Sequence, residues 1–140
     1  MDKSVRTAIF NRVESEPFAQ ALKMELIELE SGFSAVEMTY EPSLMNNFYD
    51  RAHGGAVFAL IDEAFETVGQ TDGTIGVGLN VNVTYIASPD PGARLRAEAR
   101  EIGCTKKTVT YAITVMQKDG PLIASCQALL YKTGKAIPFL

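Results

Sequence analysis

Two periodicities divide this chain. From His53 to about Gln70 the apolar positions recur at helical spacing, and at about 100° per residue Val57, Leu60, Ile61, Ala64, Phe65 and Val68 share one broad face. Asp62, Glu63, Glu66 and Thr67 share the opposite face, and Gly69 and Gly73 end the helical region. Elsewhere the pattern is that of strands. Two are expected at about Met24–Glu30 and Phe33–Tyr40, turning at Ser31-Gly32. Further on, Leu79, Val81, Val83 and Tyr85 alternate with Asn80, Asn82 and Thr84. After the turn signal Pro89-Asp90-Pro91-Gly92, the run Arg94–Arg100 alternates again. Lys107–Gln117 is rich in β-branched and aromatic residues, Asp119-Gly120 is a hairpin dipeptide, and Leu122–Lys132 supplies the last strand.

Before the first strand, Lys3–Lys23 is mixed in character, with Pro17 opening a short helix through Met24. The first ~20 residues are thus expected to add at most a separate short helix to a single domain over 1–140. One strong helix among many strands predicts an α+β fold, with an antiparallel sheet of about five to six strands wrapped around one long central helix. Strands without intervening helices argue against a doubly wound parallel sheet.

Composition narrows the partners. A net charge of −4 with a pI near 5.0 opposes a nucleic-acid binder, which needs basic residues to neutralise phosphates. No apolar run approaches the ~20 residues that cross a bilayer, and no signal-peptide pattern follows Met1, so no membrane partner and a cytoplasmic location are expected. Cys104 and Cys126 form no CxxC pair and read as reduced thiols.

The candidate chemistry is sparse. One histidine rules out a multi-histidine metal site, and there is no GxSxG elbow or P-loop. Gly73–Gly78 is not a GxGxxG motif and precedes a strand. What remains is His53-Gly54-Gly55 at a helix start, with Asp62 two turns in. A helix N-terminus presents unpaired N–H groups and partial positive charge, and two glycines let a carbonyl approach them. On the bland reading the glycines only shape the loop, and the acidic residues are a solvated face. A helix covered by a curled sheet favours a different fate for that acidic stripe: a partner subunit, a cleft or water. Arg94, Arg96, Arg100, Lys106 and Lys107 form a cationic cluster offset by Glu98 and Glu101, either ordinary strand surface or a phosphate site.

The stretch Asn47-Phe48-Tyr49-Asp50-Arg51-Ala52-His53-Gly54-Gly55, followed by Asp62, resembles the hotdog-fold thioesterases of the phenylacetate-degradation type. Asn47 stands six residues before His53 and Asp62 nine after it, as in that family, and Asn82-Val83-Thr84-Tyr85 with Ser88, Pro89 and Gly92 resembles its strand and turn. The likeness spans about Met24 to Lys132. It implies a hotdog fold and hydrolysis of acyl-CoA thioesters without a cofactor, CoA being part of the substrate. By that likeness Asp62 is nucleophile or general base, the Gly54 N–H polarises the carbonyl, His53 shapes the site and Asn47 positions water. Gly55, Glu63, Tyr85, Ser88 and Pro89 adjoin the substrate, and Arg100, Lys106, Lys107 and Thr108 meet the CoA phosphates. Sites between the subunits of a homodimer, itself half of a homotetramer, are implied too. Gly78 stands where some members carry a serine or threonine. Phe48, Tyr49, Phe58 and Phe65 are acyl-pocket or core candidates. The rival readings are a non-catalytic acyl-CoA-binding hotdog module and a hotdog hydratase or dehydratase.

Overall fold

The structure, a computed structural model, describes residues 1–140. Six strands form one antiparallel sheet: β1 (Glu25–Glu30), β2 (Phe33–Thr39), β3 (Thr74–Tyr85), β4 (Arg94–Cys104), β5 (Thr108–Gln117) and β6 (Leu122–Ala136). Their order is β1-β2-β4-β5-β6-β3, so β1 and β3 are the edges. Helix α4 (Gly54–Gly69) packs across the concave side, with α1 (Lys3–Ser15), α2 (Pro17–Ala21) and α3 (Pro42–Met45) outside it. This is the hotdog arrangement expected from the sequence.

Burial explains the match. Val57, Leu60, Ile61, Ala64, Phe65 and Val68 lie in the main core with Val36, Met38, Leu95, Ile113, Ile123 and Leu130. Strands β4 and β5 alternate buried and half-buried positions, the signature of a sheet covered on one side. On the other side of β4, Arg94 and Arg96 bind the carboxylates of Glu25, Glu28, Glu37 and Glu98.

Strands β4 and β6 each run four residues past their expected ends, and three further local features depart from expectation. The N-terminal segment holds a thirteen-residue helix, α1, as well as the short helix at Pro17. Its Asp2 caps it by accepting from the Ser4 N–H at 2.7 Å, and Val5, Ile9 and Val13, spaced four apart, are its buried stripe. Strand β3 starts at Thr74 rather than Leu79, running through Gly76 and Gly78. These glycines permit close packing: a Cβ on Gly76 would lie 2.7 Å from the Gly69 carbonyl oxygen and from Leu130. The acidic face of α4 is also divided. Asp62 and Glu66 are exposed, whereas Glu63 and Thr67 are buried. Thr67 is satisfied by the Ser34 hydroxyl at 2.7 Å and the Glu63 carbonyl at 2.8 Å, while Glu63 turns its carboxylate toward Glu16 at the α1–α2 junction.

Candidate active site

The start of α4 is built by a short chain of hydrogen bonds. His53 occupies the N-cap position in extended conformation, and its Nδ1 accepts from the Gly55 N–H at 2.9 Å. Because Nδ1 accepts, the proton of the neutral ring sits on Nε2. The His53 carbonyl accepts from Ala56 and Val57, and the His53 N–H donates to the Met45 carbonyl at 2.8 Å. The Gly54 N–H is left over, donating to no acceptor in the chain. It is a free donor at the positive end of a sixteen-residue helix.

Tyr85, at the end of β3, holds the other side of Gly54. Its hydroxyl donates to the Gly54 carbonyl at 3.1 Å, and a Cβ on Gly54 would approach the Tyr85 ring to 3.2 Å. Gly54, Tyr85, Ser88 and Pro89 line one cleft of about 370 Å³ together with Arg51 and Ile86. Four of the residues singled out in the sequence therefore meet here.

Asn47 lies on the loop that feeds this helix. Its Oδ1 accepts from the N–H groups of Tyr49 and Arg51, at 2.8 and 3.2 Å, so the oxygen organises its own loop. The amide Nδ2 makes no hydrogen bond within the chain and is the group left for another task. Phe48 and Tyr49 pack on each other at 4.3 Å and are 87% and 72% exposed, an apolar tip that nothing in the chain covers. Phe65 is a core residue, edge-on to Tyr111.

Asp62 lies elsewhere. Eight residues along α4 from Gly54 amount to about 12 Å of rise. Its cavity, about 270 Å³, is lined by Phe65, Glu66, Gln70, Gly76 and Gly78 among others. Desolvation raises the Asp62 pKa above the ordinary aspartate value, although the residue opens to the surface. Gly78 leaves no hydroxyl at that point, and a Cβ there would meet the Phe65 ring at 3.0 Å. Nor do the neighbouring asparagines fill in: Val81 and Val83 pack toward the core, so Asn80, Asn82 and Thr84 point to the outer face. Gln70 had no distinguishing signal in the sequence, yet it shapes this cavity by binding the Gly76 backbone twice, at 3.0 and 3.2 Å. Glu63, beside Asp62 in sequence, turns away from the cavity into the protein.

The cationic cluster is smaller than its sequence suggests. Arg94 and Arg96 are spent on carboxylates, and Arg100 pairs with Glu98 at 2.9 Å while stacking on Phe33. Lys106 and Lys107 remain exposed and unpaired at the β4–β5 tip, where Thr105 and Thr108 hydroxyls close the turn at 2.8 Å. That tip lies far from Tyr85 in one chain. Tyr85 pairs with Ala124 and Thr108 with Tyr131, seven residues apart on β6, or about 23 Å.

The sequence pattern of the thioesterase superfamily matches residues 49–124, more than half of the chain and all of the segment from Tyr49 through Asp62 to β6. The chain belongs to the thioesterase superfamily. Among similar proteins is the acyl-coenzyme A thioesterase PaaI of Escherichia coli, 26% identical over 89% of this chain and 88% of that protein. The solved structure of the E. coli PaaI protein superposes with a TM-score of 0.89 at 25% identity, covering 95% of this chain and 96% of that one. A mutant of the phenylacetic acid degradation protein PaaI from Thermus thermophilus superposes with a TM-score of 0.77 at 29% identity, over 83% of this chain and 98% of that one. As a superfamily member with a PaaI-like hotdog fold, this chain is a thioester hydrolase, which sets aside the binding-module and hydratase readings. No helix in it is long and apolar enough to cross a membrane.

Proposed function

We propose that this thioesterase hydrolyses acyl-CoA to a free carboxylic acid and CoA, at sites each assembled from two copies of the chain. The observation that carries the proposal is the unused Gly54 N–H at the head of α4, two turns from a desolvated, accessible Asp62 on the same helix. A backbone donor of this kind stabilises the oxyanion that forms when a thioester carbonyl is attacked. Asp62 supplies the carboxylate, which either attacks the carbonyl carbon or removes a proton from water that does so. The upward shift that desolvation gives its pKa strengthens the carboxylate as a base. His53 holds the Gly54–Gly55 turn, and the free Nδ2 of Asn47 orients the water. No cofactor enters this scheme.

The distance between Gly54 and Asp62 within one chain argues for a dimer. Strand β3 is a twelve-residue edge with Val77, Leu79 and Tyr85 exposed, an edge that invites a further strand. Asp62 lies against Gly78 and Gly54 against Tyr85. A two-fold axis near Val81 and Asn82 would pair β3 with β3 of a second copy and oppose Gly78 of one to Tyr85 of the other. That operation carries Asp62 of each copy to the Gly54 cleft of its partner. It also swings the Lys106–Lys107 tip toward that cleft, where Thr108 and the two lysines would receive the CoA phosphates. Arg100, already paired, is a lesser contributor. Two such dimers would form the tetramer.

The test is hydrolysis of a panel of aryl-acetyl, benzoyl and aliphatic CoA esters by the wild type and Asp62→Asn. The wild type should turn over at least one class, and the variant should lose kcat by about 10²-fold or more with its circular dichroism unchanged. Undiminished hydrolysis by Asp62→Asn would remove Asp62 from the mechanism. In a single turnover in heavy-oxygen water, label in the Asp62 carboxylate would identify it as the nucleophile, since it enters only when water opens the aspartyl–acyl anhydride at the aspartyl carbon.

A further inference from the structure

Where α4 meets the α1–α2 junction, three carboxylates converge. Glu16 comes from the α1–α2 junction, and Glu63 and Glu66 come from α4. One oxygen from each lies within 4.8 Å of the other two. Glu63 is only 3% exposed, and its Oε1 has no hydrogen-bond partner. A buried carboxylate oxygen without a partner is expensive, and it needs a proton, a donor or a cation. Glu16 is half-buried and Glu66 exposed, so the cluster has a wet side, where Arg12, Glu16, Glu66 and Gln70 border a cavity of about 490 Å³.

We propose that Glu16, Glu63 and Glu66 form an oxygen-only site for a divalent cation of the Ca²⁺ and Mn²⁺ class, which ties the α1–α2 junction to the central helix. Distance supports this: three atoms within that spacing always share a point no more than about 2.8 Å from any of them, and a small contraction reaches the ~2.3–2.6 Å of Ca²⁺–oxygen bonds. Charge supports it as well. Glu16, Glu63, Glu66 and the nearby Asp62 outnumber the cationic group beside them, Arg12. The donor set is all carboxylate, with His53 and both cysteines outside it, so a hard cation suits it better than zinc or copper. Water entering from the cavity completes the coordination shell. The ion would act on the packing of α1, α2 and α4, beside the Asp62 cavity that Glu66 also borders.

The experiment is Mn²⁺ titration of the full chain, followed by electron paramagnetic resonance, with Ca²⁺ as competitor. The expected result is one saturable Mn²⁺ per chain, displaced by Ca²⁺, with affinity falling about tenfold or more in Glu63→Gln because ligand charge sets the Kd of such sites. Glu66→Gln, at an exposed position, should weaken binding too and serves if Glu63→Gln fails to fold. Absence of saturable binding would overturn the proposal. Binding of equal strength in the wild type and in a folded glutamine variant would overturn it equally.

Discussion

At the scale of single residues, Gly54 is the position on which most depends. It is the first residue of α4, its N–H is free, and its Cα faces Tyr85 closely enough that any side chain presses on the ring. These two properties can be separated. Proline is compatible with a first helical position, and His53 already has the extended conformation that a following proline favours. Gly54→Pro therefore removes the N–H while leaving the helix start in place, whereas Gly54→Ala introduces a Cβ at 3.2 Å from Tyr85 and keeps the donor. Steady-state kinetics should show kcat for Gly54→Pro about 10²-fold or more below that for Gly54→Ala, the usual cost of one oxyanion donor. Equal kcat values in the two variants would mean that the N–H is idle. The sequence placed His53, Gly54, Tyr85, Ser88 and Asp62 among the candidates. It could not show that the Nδ1 of His53 takes Gly55 and spares Gly54, because that choice is made by local geometry.

At the scale of elements, the strong periodicities were legible and the weak ones were not. Helix α4 begins and ends within one residue of the span expected from its apolar face, and β1, β2 and β5 do likewise. Helix α1 was not recognised, because its only apolar stripe is Val5, Ile9 and Val13 among charged and polar neighbours. The first part of β3 was missed for a different reason: glycine has low strand propensity, and Gly76 and Gly78 are strand residues here because the helix packs too closely for a side chain. The face of Glu63 was misread because a charged residue is normally solvated, and only the α1–α2 junction covers it. This close approach of β3 to α4 has a measurable cost. Gly76→Ala would put a methyl 2.7 Å from the Gly69 carbonyl and Leu130, and should lower stability by about 1–3 kcal/mol. Urea unfolding would show it as a reduced midpoint at unchanged slope; an unchanged midpoint would mean that strand and helix separate freely.

At the scale of the whole molecule, acidic groups dominate the pH response. Glu63 is raised from its ordinary 4.5 to about 8 by burial and by its carboxylate neighbours, and Glu16 and Glu66 are raised as well. A carboxyl that holds its proton more tightly when folded contributes stability that is full below about pH 4.5 and is lost as pH rises toward 8. Glu37, Glu98 and Asp72, held low by arginine, lysine or hydroxyl partners, act in the opposite sense and weaken the fold only in acid. Urea midpoints taken in a chelator should therefore fall between about pH 5 and about pH 8, and Glu63→Gln should remove much of that slope. A slope unaltered by Glu63→Gln would place the titration elsewhere.

The two-copy site is the central claim, and mixing inactive chains tests it directly. Asp62→Asn lacks the carboxylate and Gly54→Pro lacks the oxyanion donor, so each alone should be nearly inactive. When equal amounts are unfolded together and refolded, random pairing joins an intact Asp62 to an intact Gly54 at one site in four if the two residues come from different chains. Thioesterase activity in the mixture should then recover to about a quarter of the wild type, the fraction set by closed two-fold pairing. A mixture no more active than its two components would contradict the account, for it would show that Gly54 and Asp62 serve within one chain.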